Sequence, residues 1–296
     1  MSFIGEIAAL TAAFFWGFGA LLFESAGTRI GAFATNVLRI VLACLFLGFT
    51  LYLQSGYVFP LYATQQNIFW LGLSGIIGLA IGDGALFYAI VILGPRLSTL
   101  LLSLAPPFTT VVAWLVMGER LGWMALLGIL LTVAAIVWVV GEKHGNEHIR
   151  GSKTAGVLLG LLAAAGQGLG VILAKMGLDG NLDSLSATIL RMVPAAIGLW
   201  IVALFTRQTK AVVFAIRDRT VALIILGGAI LGPYVGVWLS LVAVKYTEAG
   251  IASTLLATVP ILIIPMEFVI HGRKPSLRAI IGTVLAVVGI ALIFLR

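Results

Sequence analysis

A carboxylate between two glycines stands in the middle of an apolar stretch. Gly78-Leu79-Ala80-Ile81-Gly82-Asp83-Gly84 lies midway along the run from about Ile68 to Leu93. An acid at the centre of a bilayer-spanning helix costs about 2.5–3.5 kcal/mol on insertion scales, so it faces a cavity or a partner. Asp83 could bind a substrate amine, or take and release a proton as access alternates. The plainer reading is an acid hydrogen-bonded to a neighbouring helix for packing. Gly82 and Gly84 leave the backbone bare, so another helix or a ligand can approach closely.

Prolines mark further departures from regular helix. Gly232-Pro233-Tyr234, Pro106-Pro107, Pro260 and Pro265 all fall inside apolar runs. Each proline removes a backbone donor and clashes with the preceding turn. Carbonyls freed at membrane depth are tolerated only against protein or a water-lined cavity. These positions, with Gly82 and Gly84, are read as helix breaks or hinges, although membrane helices carry extra proline in any case.

Polar and aromatic residues at similar depth could line a pocket. Trp16, Tyr88, Gln167, Tyr234 and Trp238 are candidates, together with Phe15, and such a lining suits an amphipathic or aromatic metabolite. Trp70, Trp114, Trp123 and Trp138 read instead as interfacial or lipid-facing. Arg39 and Arg191 read as structural charges that snorkel or tie loop carbonyls, with capture of a substrate carboxylate as the alternative. Glu24 and Lys175 read as helix-terminal charges, either wetted or gating. Glu267 is either a second cavity acid or an interfacial residue. No metal site is expected, because no His/Cys/acid cluster has ligand spacing. No Walker A sequence occurs, no cofactor is called for and no catalytic residue is assigned.

The elements that must hold these residues follow from composition. Of 296 residues, 61% are hydrophobic and 10% charged, whereas soluble chains carry about 25% charged residues. The apolar runs reach the length of about 18–20 residues that spans a bilayer core, which gives an all-α polytopic membrane protein. The net charge of +7 resides mostly in short connections, where it reads as orientation signal and lipid-headgroup contact rather than as a nucleic-acid site. The single Cys44 excludes an intramolecular disulfide. The first run is too long for a removable signal peptide and is expected to stay as a span.

Ten transmembrane helices are expected: 3–23, 33–53, 68–91, 97–117 and 123–140, then 154–174, 184–205, 220–243, 249–270 and 278–295. The polar stretch 141–153 divides them into a first repeat at 1–145 and a second at 146–296. The repeats match segment by segment. Gly17-Phe18-Gly19 answers Gly168-Leu169-Gly170, Asn36-Val37-Leu38-Arg39 answers Thr188-Ile189-Leu190-Arg191, and the stretch from Ser98 to Pro106 answers that from Ala252 to Pro260. Five spans per repeat is an odd number, so the second copy enters the membrane from the opposite side. Inverted repeats of this kind place a substrate site near the midplane, with access alternating as the halves rock.

These repeats, Arg39 in the second span, the Ser-Leu-Ala-Pro-Pro-Phe stretch and the Gly118-Glu119-Arg120-Leu121 turn resemble the drug/metabolite transporter superfamily, and within it the ten-helix EamA-type carriers. The resemblance implies a central cavity lined by helices 1, 3, 4, 6, 8 and 9, with helices 5 and 10 outside. It also implies export of amino acids or other small metabolites. Arg273 stands where the second repeat would repeat Glu119, so Glu119 is expected to anchor one repeat only.

Two functions remain open at this stage. The first is a secondary transporter, an exporter of small organic metabolites such as amino acids, with proton coupling as an option. The alternative is an intramembrane enzyme acting on a lipid or isoprenoid, which would want several acids or histidines at one depth. The expected partners are a small-molecule substrate and membrane lipid, with no nucleic acid, and the chain is a monomer or homodimer. The expected location is the inner membrane of a prokaryote. Orientation divides the signals. Connections on one side hold Arg120, Lys175, Lys245 and Arg296, and those on the other hold the remaining loop cations, Arg96 among them; that bias favours both termini outside, whereas the resemblance implies termini inside.

Overall fold

In the computed structural model the described residues are 3–117, 122–142, 149–178, 182–246, 254–272 and 275–294. They form helices, with no strand among them. Ten are long and apolar enough to cross a membrane: α1 (Ile4–Ile30), α2 (Ala32–Ser55), α3 (Gln65–Leu93), α4 (Pro95–Leu115), α5 (Trp123–Val140), α6 (Lys153–Gly177), α7 (Ser184–Phe205), α8 (Arg219–Ser240), α9 (Thr254–His271) and α10 (Leu277–Phe294). A short helix, Thr209–Ala215, joins α7 to α8. The protein is an all-α, multi-pass integral membrane protein built from two inverted five-helix repeats.

The boundaries follow local signals. Thr64 caps α3 with a reciprocal bond to Asn67, Asp183 caps α7 by accepting from the Ser186 backbone, and Asp218 caps α8; each satisfies backbone donors that the first turn leaves unpaired. α1 runs seven residues past the expected end at 23, stopping only where Gly31 adopts φ +88°. The sequence reading ended that span at the charge of Glu24. The helix continues because Glu24 turns inward and is 6% exposed.

The halves are interlocked rather than set side by side. α6 of the second repeat packs along α3 and α4 of the first, and α1 of the first packs along α8 and α9 of the second. Glycine makes the α3–α6 crossing possible: a Cβ on Gly166 would lie 2.8 Å from the Gly82 Cα, and one on Gly170 would lie 3.0 Å from the Gly78 Cα. Both helices carry glycines four residues apart on the contact face, the small-residue spacing that brings membrane helices to backbone contact. α5 and α10 pair tightly with each other to one side, where Gly128 and Gly289 are in backbone contact.

Four helices are irregular, two in each repeat. α3 is π-helical over Gly75–Gly82 and α8 over Ile230–Gly236. α4 breaks into a turn at residues 103–104, just before Pro106 and Pro107, and α9 breaks at 257–258, just before Pro260. A π-helical stretch is rare and widens the turn, freeing carbonyls from the regular ladder. The interruptions fall on corresponding helices, α3 with α8 and α4 with α9.

Candidate functional site at the repeat interface

Asp83 begins the second α-helical part of α3, immediately after the π-helical segment, and is 7% exposed. It is not a lone acid. Its Oδ2 accepts from Nη2 of Arg39 on α2, and its Oδ1 accepts from the Gln167 side-chain amide on α6. The same amide donates to the Gly78 carbonyl at 3.3 Å, a carbonyl inside the π-helical segment. Gln167 reaches this far because Gly166, its neighbour, lets α6 sit directly on Gly82.

Arg39 was expected to snorkel or to tie loop carbonyls, and the structure corrects that. It is 6% exposed and directed inward. Its Nε donates to Oδ1 of Asn36 at 3.0 Å, and its guanidinium carbon lies 4.6 Å from the Phe87 ring centre and 5.8 Å from that of Phe23. Ion pair, hydrogen bonds and ring faces together satisfy a planar cation in a low-dielectric setting. Depth counting could have found the pair. Arg39 lies seven residues into α2 and Asp83 ten residues before the end of α3, which at 1.5 Å per residue is about 10 and 15 Å from the same end of the bundle.

Arg191, the repeat counterpart of Arg39, lies against the other end of the π-helical segment. The Arg191 carbonyl oxygen is 1.8 Å from where a Cβ on Gly75 would sit, and its Nη2 is 3.7 Å from the same position on Gly78.

The remaining candidates are dispersed. Trp16 packs on α8, its Nε1 2.6 Å from a Cβ position on Gly236. Tyr234 bonds Thr50 of α2 through its hydroxyl at 2.8 Å and stacks near Phe46. Tyr88 and Trp238 are 43% and 37% exposed, and neither is brought to Asp83 by a hydrogen bond or ring contact among the described residues. Glu119 and Arg273 lie outside the described residues.

Four ionisable side chains occupy one end of the bundle, where α1 and α9 finish and α4 begins. Glu267, 5% exposed, stands 4.0 Å from Nε of Arg96, itself 8% exposed. Glu24 stands 4.0 Å from Nε2 of His271. Arg96 was counted from sequence among the loop cations; it is instead buried in the opening turn of α4. Glu24 and Lys175, read from sequence as equivalent terminal charges, have different fates, since Glu24 is buried and Lys175 exposed. At the opposite end, Tyr62 of the α2–α3 connection donates to Asp183 and bonds Ser186, and Asn67 of α3 donates to the Gly177 carbonyl of α6 at 2.8 Å.

A groove of about 400 Å³ on the outer side of α2, lined by Cys44, Leu45, Gly48, Phe49, Tyr52 and Val58, contains none of these groups. Its lining is largely apolar, as lipid contact requires, and the polar chemistry lies at the repeat interface. No cluster of His, Cys, Asp and Glu among the described residues could hold a metal ion.

The EamA-like transporter family matches this sequence twice, over residues 3–141 and 154–295. A protein of Clostridium kluyveri called an uncharacterized transporter is 22% identical over 227 residues, covering 76% of this chain and 72% of that one. A protein of known crystal structure superposes with a TM-score of 0.59 at 16% identity, covering 97% of this chain and 95% of its own. That likeness speaks for the fold.

Proposed function

The chain belongs to the EamA-like transporter family, and from that premise we propose that it is a secondary carrier that moves a small organic metabolite outward by alternating access around the α3–α6 crossing. The observation that carries the reading is the pairing of interruptions in corresponding helices, π-helical in α3 and α8 and broken by a turn in α4 and α9. Paired discontinuities in inverted repeats are where carriers expose backbone groups to substrate and where the halves flex. Asp83, Arg39 and Gln167 meet at that level, and Gln167 comes from the other repeat.

The two ends suit a rocking motion. At one end α9 is tied to α4 by the Glu267–Arg96 pair and meets α1 where His271 faces Glu24, and at the other α3 and the α2–α3 connection are tied to α6 and α7 by hydrogen bonds. Both sets join the first repeat to the second, so opening either end must break them. Both Asp83 oxygens are occupied, so a substrate amine or a proton there displaces Arg39 or Gln167. Gly82, Gly84, Pro106, Pro107, Gly232, Pro233 and Pro260 are the proposed hinge positions.

The test is flux into proteoliposomes holding the purified full chain, screened over amino acids and related metabolites. Carrier activity predicts saturable flux down a gradient and trans-stimulation by unlabelled substrate. Absence of flux for every compound, with the protein demonstrably folded and inserted, would overturn the reading.

A further inference from the structure

The charges around the π-helical segment of α3 do not balance. The repeats deliver equivalent arginines, Arg39 from α2 and Arg191 from α7, but α3 supplies one carboxylate, and the matching place in α8 is Pro233. Asp83 spends its oxygens on Arg39 and Gln167. Arg191 receives neither. Its Nε is buried without a hydrogen-bond partner, and no hydrogen bond or ion pair to another described residue holds its guanidinium. The residue as a whole is partly exposed, although its Nε is not. Two cations and one anion at this depth leave a net charge of +1 at the interface of the repeats.

A cation taken out of water without a partner is strongly unfavourable, whereas the same cation paired bidentately is well accommodated. The Arg fork matches a carboxylate in shape and in charge. A phosphate, close to two charges, would need more than one free cation, and Arg39 is already paired with Asp83. We infer that Arg191 is the binding point for a carboxylate on the transported molecule, which takes on Arg191 the place that Asp83 takes on Arg39. This rests on the carrier reading and narrows it to cargo bearing an acidic group. Nη2 of Arg191 lies beside Gly78 of the π-helical segment, 3.7 Å from where a Cβ there would sit. An amino acid bound this way has its ammonium on the Asp83 side and its carboxylate on Arg191.

The experiment is thermal unfolding of the purified full chain in detergent against a panel of carboxylates: the standard amino acids, lactate, succinate and benzoate. Each compound that stabilises the protein is compared with its amide, in which the charge alone is removed. At least one carboxylate raises the unfolding temperature, its amide binds about tenfold more weakly or worse, Arg191→Gln loses the same factor, and Arg191→Lys retains part of it. If Arg191→Gln does not fold, the acid-against-amide comparison on the unaltered chain decides by itself. Equal binding of acid and amide, unchanged carboxylate binding by Arg191→Gln, or no stabilisation by any carboxylate each overturn the inference. The carrier reading fails separately, on absent flux; flux of a neutral or cationic compound that ignores Arg191→Gln sinks the inference and leaves the carrier standing.

Discussion

The side-chain amide of Gln167 donates to the carboxylate of Asp83 across the boundary between the repeats, while the other oxygen of that carboxylate holds Arg39 within the first repeat. One acid thus serves an internal ion pair and an external hydrogen bond. The internal pair is the stronger of the two, because it joins opposite charges in a buried setting; the bond to Gln167 is the weaker and the one that relative movement of α3 and α6 must break.

Removing the acid exposes that hierarchy. Asp83→Asn leaves Arg39 buried without a counter-charge, a loss of about 3–5 kcal/mol for a broken buried pair. Asp83→Asn with Arg39→Met removes both charges and recovers most of it. Unfolding of the single and double variants in mixed micelles measures the difference. A double variant as unstable as the single one would show that Arg39 is not held chiefly by Asp83.

Gln167→Leu keeps volume and removes both cross-repeat bonds of that amide, to Asp83 and to the Gly78 carbonyl. Its cost to stability is about 1.5–3 kcal/mol, typical of a hydrogen bond to a charged group. The greater effect falls on transport, since the conformer shown here loses one of its cross-repeat ties. Flux by Gln167→Leu is expected to change by more than its stability, and matched losses in both would make Gln167 a packing residue.

The glycines separate into those that are needed and those that are incidental. Gly75→Ala drives a methyl onto the Arg191 carbonyl, 1.8 Å away, and backbone cannot rotate aside; a loss of about 1–3 kcal/mol or more follows from such overpacking. Gly198→Ala on α7 meets nothing within 4 Å and is expected to be neutral or stabilising by up to about 1 kcal/mol through helix propensity. Melting temperatures of the two variants check the contrast.

The fold was legible because hydropathy and repeat matching report what a bilayer demands, long apolar helices in an order that inverts after the fifth. The glycines facing one another at Gly78/Gly82 and Gly166/Gly170 were legible too, since their spacing carries the packing rule. The partners of the charges were not. Arg39 looked like a snorkelling or loop-tying cation because a sequence read span by span does not register that α2 and α3 run in opposite directions and bring positions 39 and 83 to similar depth. Arg96 and Glu24 looked like loop and terminal charges because composition windows end at a charge, whereas the helices continue through them. The π-helical form of α3 and α8 left a trace in glycine and Pro233, but the helices packed against those segments, α6 and α7 on one and α1 on the other, lie far away in sequence.

Acid and alkali should each release the tie at the Asp183 end. Burial pushes the Asp183 carboxyl up, but hydrogen bonds from Ser186, Tyr62 and the backbone outweigh it and hold the carboxyl below its usual value of 3.8. Burial and the Asp183 acceptor push the Tyr62 hydroxyl above 10.0. A lowered acid contributes stability above its unfolded value and loses it as pH falls through the folded one. A raised phenol contributes below its unfolded value and loses it as pH rises through the folded one. The tie is therefore intact from about pH 4 to pH 10 and weakens outside that range. Tyr62→Phe should flatten the alkaline limb of a stability profile and leave the neutral plateau slightly lower. An alkaline limb unchanged in Tyr62→Phe would assign it to another group.

The opposite end depends on charge, and Glu267 is where it can be loosened. Glu267 and Arg96 are both buried at 4.0 Å, and one turn further along α9 His271 faces Glu24 of α1 at the same distance. α9 thereby joins two helices of the first repeat. Glu267→Gln keeps the shape, removes the attraction and leaves Arg96 without this counter-charge, so the end opens more readily and a reporter cysteine placed in the last turn of α9, in a Cys44→Ser background, is labelled faster by a membrane-impermeant maleimide added from that side. Arg96→Gln acts in the same direction, and the two substitutions combined exceed neither alone by much, because they break one contact. Cross-linking α1 to α9 between cysteines at positions 24 and 271 should arrest flux until reductant is added. Labelling unchanged in both single variants, with flux continuing through the cross-linked protein, would mean that this end does not open during transport.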